Sequence, residues 1–413
     1  MATIESRAGR SALSAQRNAL IASFLGWTFD AFDFFVVSFL LDDIARSFGK
    51  TTPDIALAAT LTLATRPIGA FIFGAIADRY GRRIPLMINI VFYGVASAAT
   101  GLAPTYGAFL FFRMLFGIGM GGQWGVGASL VLESVSPKWR GVLSGFLHQG
   151  YSLGFFFAGL ASLTILPRLQ AAHPATAWRY MFFLGALPAL LSIFVFAKVE
   201  ESEAWKENRS EDFRAYVRSV VSVWPRFLYL VLLLTMMGFI SHGTQDLYPK
   251  FLRQQHHFSQ SGASEVTMLT MIGALAGGII VGYLSDRVGR RRAMIGAALV
   301  GLLVVPLWAA APTHLLVIVG GVVMQFCVQG AWGIIPAHMN ELSPASTRGF
   351  LPGFAYQIGM LCAGIVTYGE ALAGEHFTYG AAMGVVAAVA LVGGMIVIAL
   401  GPEAHGIEFR KSR

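Results

Sequence analysis

Gly74-Ala-Ile-Ala-Asp78-Arg79-Tyr80-Gly81-Arg82-Arg83 is answered 208 positions later by Gly282-Tyr-Leu-Ser-Asp286-Arg287-Val288-Gly289-Arg290-Arg291. The same offset carries Glu133 onto Glu341, Pro137 onto Ala345, Arg140-Gly141 onto Arg348-Gly349, Gly145-Phe146 onto Gly353-Phe354 and Gln149 onto Gln357. A register held this long marks a duplicated half of about 200 residues, and paired repeats of apolar helices are a common way of building membrane transport proteins.

Composition points the same way. Apolar residues make up 55% of the 413 residues and charged residues 13%, against about 25% charged in an ordinary soluble domain. The net charge of +8 does not indicate nucleic acid, because Lys and Arg fall in short clusters between apolar runs and form no continuous basic face. Positive-inside topology explains them instead. The two cysteines, Cys327 and Cys362, lie far apart in apolar runs, so neither a disulfide framework nor a thiolate metal site is expected. Residues 1–18 are polar and basic, and the apolar run that follows holds two aspartates and no small-residue cleavage site. It reads as a retained helix, not a removed signal peptide.

Runs of about 20 apolar residues place spans near 19–41, 55–77, 84–103, 107–132, 142–166 and 177–197, then 226–249, 264–285, 292–311, 314–338, 350–372 and 378–400. The expected fold is therefore all-α and integral to the membrane, with twelve transmembrane helices in two six-helix pseudo-symmetric halves. The first half is 19–197 and the second 226–400, with a charged linker over 198–225 and tails at 1–18 and 401–413. Most Lys and Arg fall on one side if both tails and the linker are cytoplasmic, which fixes the expected orientation in the plasma (inner) membrane.

The Gly-x-x-x-Asp-Arg-x-Gly-Arg-Arg pattern after the second and eighth spans resembles the signature loop of the major facilitator superfamily, and the resemblance covers nearly the whole chain. It implies that fold, and it implies that Asp78, Arg82, Asp286 and Arg290 latch one conformation. Glu133, Arg140, Glu341 and Arg348, in Glu133-x-x-x-Pro137-x-x-Arg140-Gly141 and its partner, are expected to gate alongside them. Arg113-x-x-x-Gly117-x-x-x-Gly121 is similar to a second superfamily pattern associated with proton-driven members.

Transport chemistry must come from polar groups inside the spans, because a charge at mid-membrane costs about 2.5–3.5 kcal/mol or more. Asp30 and Asp33 in the first span are three residues apart and share one helical face. Two carboxylates so close resist joint ionisation, which suits a proton carrier. Arg66 lies twelve residues before Asp78, about 18 Å from the membrane surface and near mid-membrane. Its planar fork needs a carboxylate, either Asp30 or an anionic substrate. Arg113 is an accessory candidate nearer the outside.

In the seventh span, Ser241-His242-Gly243-Thr244-Gln245-Asp246 closely resembles the helix signature of lactate/pyruvate:proton permeases, in the sialate:proton symporter group. Two positions depart, Gly238 where the pattern has Asn and Lys250 where it has Thr. Apart from the resemblance, His242 and Asp246 at i and i+4 share a face on which the carboxylate orients the imidazole. Gln245 joins them as a binding candidate, with Ser241 and Thr244 as accessories. His148 and Gln149 in the fifth span, and their equivalents Tyr356 and Gln357 in the eleventh, complete the expected cavity. Trp124 and Trp332, also equivalent, are candidates for its apolar walls.

No phosphate-cradling loop, metal-ligand cluster or exposed nucleophile with a base appears, so no enzyme, metal or cofactor is expected. The expectation is a monomeric secondary transporter that moves a small organic anion, lactate- or pyruvate-like, with a proton. Asp30, Asp33, His242 and Asp246 are the proton-coupling candidates. The partners are that substrate, the proton and the lipid bilayer, with no nucleic acid. Sialic acid or an aromatic acid is the alternative substrate, since Asp30-Ala31-Phe32-Asp33 resembles the Asp-Gly-x-Asp of aromatic acid:proton symporters. A transporter-like nutrient sensor is the remote alternative.

Overall fold

A computed structural model describes residues 2–208, 213–364 and 376–409. The described residues are helical throughout, with no strand: α1 Ala2–Phe48, α2 Thr52–Tyr80, α3 Arg83–Leu102, α4 Tyr106–Ser134, α5 Arg140–His148, α6 Gly150–Thr164, α7 Leu166–Ala172, α8 Ala177–Ala186 and α9 Leu191–Lys198 form the first half. Next come α10 Glu203–Asn208 and α11 Phe213–Ser222 in the linker, then α12 Trp224–Gln245, α13 Tyr248–Gln254, α14 Gln260–Val288, α15 Arg290–Ala309, α16 His314–Leu342, α17 Leu351–Ala363 and α18 Tyr379–Leu400.

Eleven described stretches are long and apolar enough to cross a membrane, and α17 is a shorter apolar helix. The remainder of the expected 350–372 span, residues 365–372, lies outside the described residues. The boundaries differ from expectation in several places. The first helix continues through the expected tail, the linker carries two helices, and the fifth and seventh spans are each broken, at Gln149 and at Asp246-Leu247, while the sixth passes through a 3-10 turn over Leu187–Leu190. Gly150 follows the first break and Pro249, near the start of α13, follows the second. Both are residues that weaken or interrupt a helical hydrogen-bond ladder.

The duplication is visible in the helix ends. Thr51 and Ser259, 208 apart, cap α2 and α14, and Thr105 and Thr313 cap α4 and α16, each accepting from a backbone N–H in the first turn. Gly81 and Gly289 end α2 and α14 with φ of 102° and 97°, a left-handed conformation that a side chain would strain. In each half α2 packs on α4, or α14 on α16, and the shorter helices α5 and α17 cross over: α5 lies on α14 and α16, α17 on α2 and α4.

This exchange closes the linker side. A methyl group added at Gly145 would come within 2.0 Å of the Gly278 carbonyl, and one at Gly125 within 2.7 Å of the Gly353 Cα. Backbone meets backbone here because glycines leave no side chain between the halves. After α18, the segment to Phe409 folds back under the molecule. The Phe409 ring is buried, with the guanidinium carbons of Arg140 and Arg348 3.5 and 3.8 Å from its centroid. Arg140 also donates to the Ile407 carbonyl at 2.5 Å.

Candidate functional site

The expected gating residues assemble into two equivalent clamps at the linker side. Asp78, at the end of α2, accepts from the backbone N–H groups of Gly349 at 2.7 Å and Phe350 at 3.1 Å, just ahead of α17. Asp286, at the end of α14, accepts from Gly141 at 2.8 Å and Val142 at 3.1 Å, at the start of α5. Each carboxylate thus caps the helix start of the opposite half, where the dipole favours negative charge. Arg82 bridges Asp78 at 2.7 Å and Glu133 at 2.9 Å, while Arg290 bridges Asp286 at 2.7 Å and Glu341 at 2.8 Å. Arg348 reaches Glu133 at 3.6 Å and Arg140 reaches Glu341 at 3.7 Å, so every clamp carries an arginine from each half.

The linker tightens the first clamp. Ser202 donates to Glu133 at 2.5 Å, Trp205 Nε1 donates to the Asp78 carbonyl at 2.7 Å, and Glu201 accepts from the N–H groups of Arg82 and Arg83. Glu403 is placed similarly in the second half, accepting from Arg291. Partial burial pushes the Glu403 carboxyl up, but the N–H donors of Arg291, Ala404 and His405 outweigh it and hold the group below the usual range.

Deeper in, the two aspartates of α1 separate in role. Asp33 is ion-paired to Arg113 at 2.5 Å and accepts from Ser97. Arg113 is fully buried, with its guanidinium carbon 4.2 Å from the Phe116 ring centroid. Asp30 is equally buried, yet neither carboxyl oxygen has a hydrogen-bond partner. Arg66 is close enough to attract Asp30 electrostatically, but its Nε and Nη2 are likewise buried and unbonded. Its guanidinium carbon is 5.8 Å from the centroid of the Tyr356 ring. Buried polar groups are normally satisfied. Here a guanidinium that contacts Tyr356 but leaves two nitrogens unbonded and a carboxyl that accepts no hydrogen bond share one interior region.

The seventh-span residues lie farther out, because His242 is eighteen residues beyond the start of α12, about 27 Å along the helix. His242 Nδ1 and Asp246 Oδ2 are 3.0 Å apart, and each side chain is one-third exposed. Gln245 donates to Gln325 of α16 at 2.7 Å. Thr244 turns back to donate to the Ile240 carbonyl at 2.8 Å, and Ser241 offers its carbonyl to Thr244 at 3.2 Å. Gly238 has a packing reason, since a Cβ there would come within 2.4 Å of the Ala363 Cβ, leaving no room for the asparagine of the permease pattern. Lys250 lies over the Tyr379 ring.

Tyr151 stacks on Trp27 of α1 with ring centroids 5.4 Å apart and meets Phe35 edge-on at 5.0 Å. His148 Nε2 is 3.2 Å from Gln329 Oε1. Gln149, at the break between α5 and α6, is buried with both side-chain heteroatoms unbonded. Gln357 donates to the Gly121 carbonyl at 3.4 Å. Sequence reasoning passed over the buried pair Asn89 and Gln123, 3.2 Å apart, together with Gln325, Gln329, Trp27 and Tyr151. The rule that singled out Arg66, a polar residue inside an apolar span, applies equally to the four amides.

The chain matches the Major Facilitator Superfamily over residues 23–259 and again over 246–411. It belongs to that family. It is 31% identical over 371 residues, 84% of its length, to a carboxylic acid transporter protein homolog of Saccharomyces cerevisiae, of which it spans 59%. Against a probable 4-methylmuconolactone transporter of Cupriavidus pinatubonensis it is 29% identical over 399 residues, covering 95% of this chain and 92% of the relative. The solved structure of the proton:xylose symporter XylE bound to 6-bromo-6-deoxy-D-glucose superposes with a TM-score of 0.75 at 17% identity, over 95% of this chain and 97% of that one. This member of the superfamily is thus an all-helical integral membrane protein of a transporter family, similar to carriers of small organic acids.

Proposed function

We propose that this superfamily member is a proton-coupled symporter of a small monocarboxylate, lactate- or pyruvate-like, working by alternating access in the plasma (inner) membrane with its linker side cytoplasmic. The observation that carries the proposal is the pair of unsatisfied groups at the centre. Arg66 presents two unbonded N–H positions of a planar fork, which suits the two oxygens of a carboxylate. Asp30 presents a buried carboxyl that accepts no hydrogen bond, which suits a group that takes up and releases a proton. Asp33 is the weaker proton candidate, because Arg113 and Ser97 already satisfy it. Moving the anion with one proton makes the transit neutral and avoids about 2.3 kcal/mol per charge for each 100 mV of opposing potential.

A second proton path is favoured by the His242–Asp246 contact, which is partly exposed on the side away from the clamps. That pair could load protons at the mouth while Asp30 carries them inside. Uptake by purified protein in liposomes, scored for lactate, pyruvate, sialic acid and benzoate with and without an inward proton gradient, tests the proposal. Gradient-driven accumulation of lactate or pyruvate supports it. Preference for benzoate or sialic acid moves the substrate to the rival class, and uptake indifferent to the gradient removes the coupling.

A further inference from the structure

The four aromatic positions that the duplication relates in pairs do something that neither half does alone. Trp124 of α4 and Trp332 of α16 are equivalent at the 208 offset, and so are His148 of α5 and Tyr356 of α17. In the structure each tryptophan stacks on the aromatic of the opposite half. Trp124 lies on Tyr356 with centroids 4.4 Å apart and planes 16° from parallel, and Trp332 lies on His148 at 5.4 Å and 6°. Trp332 also meets Tyr356 edge-on at 6.1 Å and 77°, which joins the two stacks into one band across the pseudo-twofold axis. All but His148 are more than nine-tenths buried, and His148 is partly buried at the break where α5 gives way to α6.

Position along the helices gives the band a level. Trp124 and Trp332 each precede the clamp glutamate of their helix by nine residues, and His148 and Tyr356 each follow the clamp arginine by eight. That puts the band about 12–14 Å above the clamps, while Arg66, twelve residues before Asp78, is about 18 Å above them. The band therefore lies between the Arg66 and Asp30 region and the linker side. Arg66 rests over Tyr356, so one of its two limbs touches the candidate binding group and the other, carrying the imidazole, does not.

We propose that Trp124–Tyr356 and Trp332–His148 are the inner gate of the transport path, and that Tyr356 is the positioning residue through which occupancy at Arg66 reaches that gate. The proposal rests on the reading of Arg66 as the substrate-binding group. For the site to open toward the linker, the halves must part at this level and both stacks must separate. A carboxylate drawn to Arg66 takes the guanidinium away from the Tyr356 face, which loosens the limb on which the two halves meet. The duplication supplies the second limb with the same geometry and a different ring.

The test uses the full chain reconstituted in lipid, with hydrogen exchange read by mass spectrometry over Arg140–His148 and Leu351–Tyr356 in the absence of a proton gradient. Trp124→Leu with Trp332→Leu is expected to speed exchange in both segments about tenfold, whereas Tyr356→Phe, which keeps the ring, stays near wild type. Rates within twofold of wild type in a double variant whose thermal midpoint is preserved would overturn the gate. Should the double variant not fold, Trp124→Leu alone is expected to speed exchange over Leu351–Tyr356 more than over Arg140–His148, and equal or unchanged rates overturn the gate. The link to Arg66 is read in lactate uptake: Tyr356→Leu is expected to raise KM several-fold more than His148→Leu, and equal KM values remove it. A wild-type protein that ignores the proton gradient contradicts the symport proposal while leaving the exchange result intact.

Discussion

At the level of single residues, the contrast between Asp33 and Asp30 organises the interior. Both stand on one face of α1, as their spacing requires, but only Asp33 meets a cation at ion-pair distance. Sequence could place the shared face. It could not say which aspartate Arg113 would reach, because that depends on how α4 crosses α1. Gly238 shows the same limit: it stands as a departure from a helix pattern until the packing against Ala363 explains it. For Arg66, keeping the charge is not enough. Arg66→Lys should lose most transport, with kcat/KM lowered by about tenfold or more, since an ammonium cannot reproduce a bidentate contact. Kinetics of substrate uptake check this, and a normal KM in that variant would reduce Arg66 to a structural cation.

Among the helices, the clamps were the most legible feature and the breaks the least. The repeat of Asp78, Arg82, Glu133 and Arg140 at 208 residues pairs each with an equivalent, and both sets form equivalent contacts. The targets of Asp78 and Asp286 were hidden, because they are backbone N–H groups of the other half, and backbone donors leave no mark in sequence. The breaks at Gln149 and Asp246 were masked by apolar runs that read as continuous spans. Removing the negative charge from either clamp should loosen the linker side to a similar degree. Asp78→Asn and Asp286→Asn are each expected to weaken closure by about 1.5–3 kcal/mol, the worth of hydrogen bonds to a charged acceptor. Hydrogen exchange at the starts of α17 and α5 measures it, while substrate affinity should stay within a few-fold because the clamps are remote from Arg66. A large affinity loss with unchanged exchange would contradict the gating role.

For the molecule as a whole, two duplicated halves meet on one side and are fastened there by an element that is not duplicated. Phe409 lies against Arg140 and Arg348, which the repeat relates to each other, so a single ring serves both halves. Phe409→Ala should release about 0.5–2 kcal/mol of closure on the linker side, seen as faster exchange over Arg140–His148, with no change in which acids are carried. Unchanged exchange would make the ring a passive filler. The fold and its twofold plan were readable from one repeated motif and the hydropathy around it. The meeting of the halves was not, since it depends on glycine contacts, aromatic stacks and a returning segment that only three dimensions bring together.

Coupling of the proton to the carboxylate through Asp30 is tested most directly by comparing accumulation with exchange in the Asp30→Asn protein. Liposomes holding the variant are given an inward proton gradient and labelled substrate, and a parallel set is loaded with substrate on both sides and no gradient. Coupling through Asp30 predicts that gradient-driven accumulation collapses while exchange, which needs no net proton movement, persists. Wild-type accumulation by Asp30→Asn, with the loss appearing instead in Asp246→Asn, would contradict it and move the proton site to the outer pair.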